Sequence, residues 1–290
     1  MAALSDKAVQ AEAAEALGAI RHENALAPLV RLLAAEASLV RWSAAEALGR
    51  TGHPLAVPPL VGALVDPEEC VRGAVASALD RLGWQAPDAA ARARFALAKK
   101  RWDDAVECGA SAVPEAARLL QDGDAAVRAK AALVLGRLGS VDALERLALR
   151  LRDGDATVRA SAADAMGRIA DSWAVAPLIG ALEDLAPAVR QAAAAALTRI
   201  GPAAVHPLVV AFQKRRALRE VVELLASLVE TCAASLAEDD LRTIASLRGA
   251  DKVAIGASGQ GPSAGEWSVR YLSIRQVARR ELVRRGVCAA

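Results

Sequence analysis

Val40-Arg-Trp-Ser-Ala-Ala-Glu-Ala-Leu-Gly49 is the stretch that decides the fold, because variants of it recur along most of the chain. The leading valine of each copy occurs at Val9, Val40, Val71, Val127, Val158 and Val189, so the steps are 31, 31, 56, 31 and 31 residues. A fixed period of roughly 20–50 residues is the signature of a protein built by stacking equal structural units. The sequence therefore predicts a repeat protein.

Each repeat is predicted to contain two helices. In the quoted copy, Val40, Ala44 and Leu48 lie at helical spacing on one apolar face, and we call this segment helix B. Helix A precedes it, and its opening turn contains a proline, whose missing N–H would have had no partner there. These prolines are Pro28, Pro59, Pro177 and Pro207. A glycine follows the last leucine or methionine of helix B at Gly18, Gly49, Gly136 and Gly167, and we expect these small residues to let neighbouring helices approach closely.

Four copies carry an aspartate six residues before the repeat arginine. The pairs are Asp66/Arg72, Asp122/Arg128, Asp153/Arg159 and Asp184/Arg190. The aspartate falls in the turn between helix A and helix B, and arginine forms strong charge-assisted hydrogen bonds with carboxylates. We predict a structural ladder of Asp–Arg hydrogen bonds that joins the turns of adjacent repeats.

The pattern of helix B, together with a helix A of the type Ala-Pro-Leu-Ile-Gly-Ala-Leu, resembles the HEAT-like repeats of bacteria and archaea that were first named from phycobilisome lyases. The resemblance covers about residues 1–82 and 111–213. It implies an all-α fold, a right-handed α-solenoid of helical hairpins. It implies no single function, because the family contains scaffolds, lyases and a hydroxylase.

The regular repeats are interrupted once and end before the C-terminus. A first block over 1–82 and a second over 111–213 flank a non-standard helical insert at 83–110, with helices expected at about 87–100 and 102–108. Residues 214–290 are predicted to form a helical cap. Two apolar runs around a Gly-rich turn favour a β-hairpin at 252–272 within it. Ser273 then caps a last helix.

The first repeat is predicted to be incomplete. Ala3-Leu-Ser-Asp6 is similar to the end of a helix A, as in Ala63-Leu-Val-Asp66. Only helix B of this repeat then follows, and one of its faces is left uncovered. We expect either a trimmed chain or an exposed first helix that packs on a partner or on a second copy of the chain, and our hypothesis is self-association through this helix.

Composition is typical of a reduced, cytoplasmic helical protein. The net charge is +2, so the whole chain offers no electrostatic argument for nucleic acid. The four cysteines, Cys70, Cys108, Cys232 and Cys288, show no paired spacing, which favours free thiols. Neither a signal pattern nor an apolar run of membrane-spanning length is present, so we expect no membrane partner. The high usage of Ala, Arg and Leu is associated with GC-rich bacterial genomes.

The sequence predicts no catalytic residue, metal site or cofactor. The repeats also resemble deoxyhypusine hydroxylase, in which His-Glu pairs directly after the Val-Arg of helix B bind iron. The corresponding positions here hold no such pair; the second copy, for example, has Trp42-Ser43. His22 and His53 are one repeat apart, and packed helices are about 8–10 Å apart. That separation is too large for one shared metal with bonds near 2 Å.

The predicted binding surface is the exposed face of helix B, which we expect to be concave. Its candidate residues are Trp42, Ser43, Glu46, Arg50, Ser77, Arg81, Lys130, Leu133, Arg137, Asp164, Arg168 and Arg199. Five arginines follow the glycine slot and form a stripe with two open explanations. A cation at each helix C-terminus stabilises by about 0.3–1 kcal/mol, and a positive stripe can also bind a long acidic or amphipathic peptide. Trp42 is the candidate hot spot.

The insert is a second candidate surface. Its residues are Trp84, Arg92, Arg94, Lys99, Lys100, Arg101 and Trp102. The aromatic side chains either fill the gap left by a non-standard repeat or, together with the cations, bind single-stranded nucleic acid. The first explanation is favoured, so nucleic acid is a disfavoured partner.

These patterns favour a non-catalytic protein–protein interaction scaffold that binds another protein or a peptide on the helix-B face. Two alternatives stay open. One is chromophore handling, which the resemblance to phycobilisome lyases implies. The other is nucleic-acid binding through the arginine stripe and the basic insert.

Overall fold

The computed structural model describes residues 2–20, 22–215, 219–246 and 264–287, and every regular element in these ranges is helical. The chain forms two compact units, Met1–Ser140 and Val141–Ala290. Unit 1 contains α1 (Ala2–Ile20), α2 (Leu26–Leu32), α3 (Ser38–Thr51), α4 (Val57–Ala63), α5 (Glu69–Arg81), α6 (Ala89–Ala98), α7 (Trp102–Glu107), α8 (Val113–Leu119) and α9 (Ala125–Leu138). Unit 2 contains α10 (Leu144–Arg150), α11 (Ala156–Ile169), α12 (Val175–Ala181), α13 (Pro187–Ile200), α14 (Val205–Arg215), α15 (Arg219–Cys232), α16 (Glu238–Ser246) and α17 (Ala264–Arg284).

The elements alternate between short and longer helices as the repeat predicts. Helix A is represented by α2, α4 and α12, each seven residues long, and each follows a turn of 3₁₀ helix. The predicted prolines stand in the first turns, as Pro28 does in α2. Helix B is represented by α3, α5, α11 and α13, of 13 or 14 residues. Gly52 ends α3 in the left-handed conformation, with a φ of 70° that favours glycine.

Successive B helices pack directly on one another, α1 on α3 and α3 on α5 in unit 1, and α11 on α13 in unit 2. The repeat glycines stand at these contacts. A Cβ atom added to Gly49 would lie 2.7 Å from the Cβ of Ala78, and one added to Gly167 would lie 2.5 Å from that of Ala196. Because real Cβ atoms do not approach so closely, the glycine slot is a requirement of the helix spacing.

The repeat valines form the core, with one exception. Val40, Val71, Val127, Val158 and Val189 are buried, whereas Val9 is 57% exposed. Val9 lies on α1, which begins at Ala2 and runs without a break to Ile20. The prediction that residues 1–6 end a helix A is therefore wrong, because residues 2–6 belong to the same helix as the repeat motif.

The predicted Asp–Arg ladder is present, with a pairing that the sequence spacing concealed. Arg41 forms a bidentate pair with Asp66 of the next repeat, at 2.7 and 3.0 Å, and Arg159 does so with Asp184, at 2.7 and 2.9 Å. The same arginines donate to main-chain carbonyls of their own turn; Arg159, for instance, donates to the Asp153 carbonyl at 2.9 Å. Each arginine therefore ties its own turn to the following one.

The aspartates of the ladder also organise the turns in which they stand. Asp66 Oδ1 accepts the backbone N–H of Glu68 at 2.9 Å, and Asp184 Oδ1 accepts that of Ala186 at 2.8 Å. A carboxylate that bonds the backbone two residues ahead is a common turn-forming arrangement. One side chain thus shapes its own turn and receives the arginine of the preceding repeat.

The C-terminal region differs from its prediction. Helix α17 begins at Ala264, so the second strand of the predicted hairpin, 266–272, is helical, and Ser273 lies inside this helix and does not cap its start. The first strand, 252–257, lies outside the described residues. Helix α17 packs on α15 and α16. Arg285 donates to the carbonyls of Ala233, Ala234 and Leu236 at 2.8–3.0 Å, next to the end of α15. These carbonyls follow the end of α15, and that of Ala233 also accepts the backbone N–H of Leu236 at 3.4 Å.

One described stretch, Pro187–Ala211, has the length and apolar composition of a membrane span. It consists of α13, the 3₁₀ turn Gly201–Ala204 and most of α14, and α13 packs directly against α11. Core helices of folded proteins pass the same test of length and composition. We therefore interpret the stretch as two successive core helices of unit 2.

Replacing Gly49 by alanine is expected to destabilise the protein by about 1–3 kcal/mol, because the new Cβ would overlap Ala78. Gly73, in the next B helix, is the matched control, since a Cβ there meets nothing within 4 Å. Gly73→Ala should stabilise by about 0.5–1 kcal/mol through helix propensity alone. Urea denaturation of both variants measures whether each substitution lowers or raises the free energy of unfolding. A destabilising effect of the same size at Gly73 would contradict the assignment of the glycine slot as a contact requirement.

Asp122→Ala is expected to lower the free energy of unfolding by about 3–5 kcal/mol, because it leaves the charge of Arg72 buried without its carboxylate. The side chains of Arg72 and Asp122 are each only 3% exposed. The control is Arg81→Ala, which breaks the more exposed pair with Glu46 and should cost no more than about 1 kcal/mol. Chemical denaturation followed by circular dichroism compares the two. Equal losses of unfolding free energy in the two variants would show that burial of an ion pair does not determine how much it stabilises the protein.

Acid should weaken the ladder at Asp184, and only at low pH. The hydrogen bond from Arg159 holds the pKa of Asp184 below its ordinary value against the opposing effect of burial. A carboxyl whose pKa is lower in the folded state stabilises at pH values above its unfolded pKa, about 3.9, and this stabilisation is lost as the pH falls through the folded pKa. The difference in unfolding free energy between wild type and Asp184→Asn should therefore be constant at neutral pH and shrink below about pH 4. A difference that stays constant down to the lowest pH would contradict this linkage.

Candidate protein-binding face

The candidate surface in unit 1 is formed by α1, α3 and α5, which lie side by side. Positions one repeat apart align across these helices. Ala11, Trp42 and Gly73 form one row, and Glu15, Glu46 and Ser77 form the next. We call the exposed part of these rows and their immediate neighbours the helix-B face of unit 1.

Trp42 is the largest side chain on this face and is 36% exposed. Its neighbours in the row are small: Ala11 is buried, and a Cβ added to Gly73 would meet nothing within 4 Å. The indole therefore stands beside open space on the side of α5. Leu39, one helical turn before Trp42, is 55% exposed and was not among the predicted site residues. The sequence could have indicated Leu39, because the same position of later copies holds smaller residues: Cys70, Ala126, Thr157 and Ala188.

Ser43 does not belong to the surface, although it was predicted there. It is only 1% exposed, and its Oγ is the one buried side-chain oxygen or nitrogen in the described residues that has no hydrogen-bond partner. The sequence placed it by counting two residues after Val-Arg. In α3 this position turns toward the neighbouring helices, whereas Lys130, at the same count in α9, is exposed.

The predicted arginine stripe is largely engaged within the chain. Arg81 pairs with Glu46 at 2.7 Å, and Arg199 pairs with Asp164 at 2.8 Å. In both pairs the arginine reaches back to an acidic residue 35 positions earlier, on the preceding B helix. These cations are therefore neutralised by their neighbours and form a second set of cross-repeat pairs, at the opposite end of helix B from the ladder.

Two further arginines of the stripe are also paired with carboxylates of the chain. Arg168 pairs with Asp164 on its own helix at 2.8 Å, and Arg137 pairs with Asp103 of α7. Burial acts to raise the pKa of Asp164, but the hydrogen bonds from Arg168 and Arg199 outweigh it and hold this pKa below its ordinary value. Arg50 is exposed and forms no ion pair among the described residues.

The remaining candidates do not form a shared cluster with Trp42. Ser77 and Leu133 are half-buried, and Lys130 is exposed on α9. Asp164, Arg168 and Arg199 belong to unit 2. In unit 1, the structure thus brings together Trp42, Glu46, Arg50, Ser77 and Arg81 across α3 and α5.

The aromatic residues of the insert are packing residues. Trp84 and Phe95 meet edge to face, with ring centroids 5.5 Å apart, and both pack against the buried core of unit 1. This geometry is the preferred one for aromatic pairs. Trp102, the first residue of α7, is half-buried. The structure thus supports the gap-filling explanation of Trp84.

The basic residues of the insert are also mostly paired. Lys99 forms an ion pair with Asp80, Lys100 with Glu69, and Arg101 approaches Asp104 at 3.9 Å. Arg92 is exposed and Arg94 is half-buried. The predicted cluster therefore anchors α6 and α7 to their surroundings and presents few uncompensated cations.

The insert has the organisation of a shortened repeat. Helix α6 contacts α5, and α7 contacts α9, as successive units do. The Arg137–Asp103 pair corresponds to the cross-repeat pairs of Arg81 and Arg199. The ladder passes over the insert, however, because Arg72 pairs with Asp122, 50 positions ahead, where Arg41 and Arg159 pair 25 positions ahead.

The loop histidines have a structural role. His22 Nδ1 accepts the backbone N–H of Asn24, and His53 Nδ1 accepts that of Leu55, each at 3.2 Å. They cap the 3₁₀ turns that precede α2 and α4, as Asp171 does in a later copy. In the described part of the chain, no group of three or more His, Cys, Asp or Glu side chains is placed to hold a metal ion.

The stacked hairpins, the glycine contacts and the Asp–Arg ladder define a helical-repeat protein of the α-solenoid class. The family model for HEAT repeats matches residues 1–80 and 144–228, which together exceed half of the sequence. The chain belongs to the HEAT-repeat family. A search of curated proteins found no match.

Three solved structures illustrate the similarity. Human deoxyhypusine hydroxylase in complex with glycerol is 27% identical over 67% of this chain and 80% of that chain, with a TM-score of 0.36. An engineered protein is 21% identical over 94% and 73%, with a TM-score of 0.36. The complex of CpcE and CpcF of phycocyanin lyase from Nostoc sp. PCC7120 gives 21% identity over 76% and 89%, with a TM-score of 0.29. Superpositions of this quality assign no activity to the chain.

Proposed function

We infer that this protein is a non-catalytic scaffold that binds a partner protein or peptide on the helix-B face of unit 1, with Trp42 as the central contact. The observation that carries this inference is Trp42 itself. It is a large aromatic side chain, partly exposed, in a row whose other members are Ala11 and Gly73. Among the described repeats, the equivalent slot otherwise holds Ala129, Ala160 and Gln191.

Trp42 has no evident role in the stability of the repeat. The other copies build the same hairpin with small or polar residues in this slot, so the fold does not need an indole there. Tryptophan is enriched among the few residues that contribute most of the energy of protein–protein interfaces. A tryptophan side chain has only two χ angles, so it also loses little conformational entropy when a partner covers it.

The engaged arginine stripe favours this function over nucleic-acid binding. Binding to phosphates depends on cations that can exchange their counterions for phosphate oxygens. Arg81, Arg137 and Arg199 are paired with carboxylates of the chain, and Lys99 and Lys100 of the insert are as well. A ligand phosphate would have to displace these internal partners.

The test is comparative capture from lysates of the source cells with three forms of the full chain: wild type, Trp42→Ala and Trp173→Ala. Trp173 is the matched control, an exposed tryptophan of unit 2 at 49% exposure. A protein retained by wild type and Trp173→Ala but lost with Trp42→Ala is the expected result. With that protein purified, Trp42→Ala should weaken the affinity by about 30-fold, equivalent to about 2 kcal/mol.

Circular dichroism of each variant confirms that the helical fold is retained before binding is compared. Equal retention of every bound protein by Trp42→Ala would refute Trp42 as the contact. Retention of nucleic acid alone, lost steeply as salt rises, would replace the scaffold by a nucleic-acid binder.

A further inference from the structure

We propose that the helix-B face of unit 1 recognises a partner segment in which an apolar side chain is flanked by lysine or arginine. The proposal rests on the proposed function and specifies the chemistry of the partner. The arginine stripe had indicated an acidic ligand, whereas this proposal predicts a basic one. The site consists of the apolar pair Leu39 and Trp42, the open space beside Gly73, and a rim of carboxylates.

The apolar part of the site lies on one helix. Leu39 and Trp42 are three residues apart on α3, so their side chains are neighbours on the same face. They are 55% and 36% exposed, respectively. In the adjacent B helix the aligned residues are the exposed Cys70 and Gly73, and a Cβ at Gly73 would meet nothing within 4 Å. An apolar side chain of a partner could therefore lie against the indole over α5.

The rim of the site is predominantly acidic. Four exposed carboxylates lie on the B helices of this face or in the turns before them: Glu12 and Glu15 on α1, Glu36 before α3, and Glu68 before α5. The hydrogen bond to Asp66 contributes most to raising the pKa of Arg41, the neighbour of Trp42 in sequence, and the nearby Glu68 and Cys70 raise this pKa further. In the part of the chain that the structure describes, none of the four carboxylates is held in an ion pair.

The cations near the site are mostly committed elsewhere. Arg41 is bound bidentately to Asp66 in the ladder, Arg81 to Glu46, and Lys100 to Glu69. Only Lys7 and Arg50 remain on the adjoining rows as exposed cations without an ion pair among the described residues. On α1, α3 and α5 and in the turns before them, four free carboxylates against two free cations leave the described part of this face with a negative balance.

A basic partner segment fits these features better than an acidic one. A lysine or arginine beside the docked apolar side chain can lie over the face of Trp42, which attracts cations, and reach the carboxylates of the rim. An acidic segment would meet carboxylates of like charge and find few free cations. Complementary charge contributes most to the association rate and to the choice of partner, and the apolar contact contributes most to affinity.

The test uses two fluorescein-labelled peptides of the same length, each with a central leucine pair, one flanked by lysines and the other by glutamates. Fluorescence anisotropy with the full chain measures binding. The lysine peptide is expected to bind, with an affinity that falls as salt rises, and the glutamate peptide is not. Failure of the lysine peptide to bind at millimolar concentration, or equal binding of both peptides, would overturn the proposal.

Variants separate the two parts of the site. Gly73→Gln fills the space beside Trp42 without adding charge and should weaken the lysine peptide by at least about tenfold, whereas Gly73→Ala should leave it unchanged. The triple variant Glu12→Lys, Glu15→Lys, Glu68→Lys should lose the lysine peptide and gain the glutamate peptide. Glu68 is suited to this change because its side chain makes no capping hydrogen bond to α5.

The outcomes distinguish this proposal from the proposed function. If the captured partner depends on Trp42 but its binding segment is acidic, the scaffold function stands and the charge assignment fails. If the triple variant keeps its preference for the lysine peptide, the carboxylate rim is refuted as the determinant. If capture is independent of Trp42, the proposed function fails together with this site.

Discussion

The Arg–Asp pair that connects consecutive turns is the interaction on which the regularity of this fold depends. One guanidinium donates to carbonyls of its own turn and to the carboxylate of the next, so two repeats share one set of hydrogen bonds. The aspartate that receives it has already fixed its own turn by accepting a backbone N–H. Because each unit supplies both an acceptor and a donor, the interaction propagates along the chain. In a solenoid each repeat contacts only its neighbours, so the fold is held together by contacts between adjacent repeats.

The ladder also explains how unit 1 tolerates its insert. Arg72 reaches Asp122 as though the intervening helices α6 and α7 were absent, and this pair is more buried than the pairs of Arg41 and Arg159. The insert occupies its place through other contacts, namely the Trp84–Phe95 packing and the ion pairs of Lys99 and Lys100. The Arg–Asp ladder is therefore continuous at the turns, although a shortened repeat lies between α5 and α9.

Periodicity was sufficient to predict the elements, and it failed where a side chain's partner lies in another repeat. The helices, the glycine contacts and the existence of the ladder follow from spacing within one copy. That the carboxylate partner of Arg41 is Asp66 of the next repeat, while only main-chain carbonyls of its own turn accept from it, depends on the distance between repeats, which no single copy contains. For the same reason, the arginine stripe could be recognised as a column of positive charge, but its neutralisation by Glu46 and Asp164 could not. Counting along helix B likewise placed Ser43 on the surface, because the count ignores how closely α1 and α5 approach α3.

Regular repeats restrict where a binding function can arise. Positions that hold the ladder, the glycine contacts or the cross-repeat ion pairs are committed to stacking, and a substitution there removes a contact between neighbouring repeats. A binding site must therefore use repeat positions at which the packing between repeats does not require a particular residue. Such positions can be found where one copy carries a residue unlike those at the same position in the other copies. Leu39, Trp42 and Gly73 are departures of this kind, and they lie next to one another on two adjacent helices. The exposed carboxylates of the same helices and turns remain available because the nearby arginines are engaged with other residues of the chain. The stacking interactions thus set the charge of the candidate site, although none of its contacts is part of the stack.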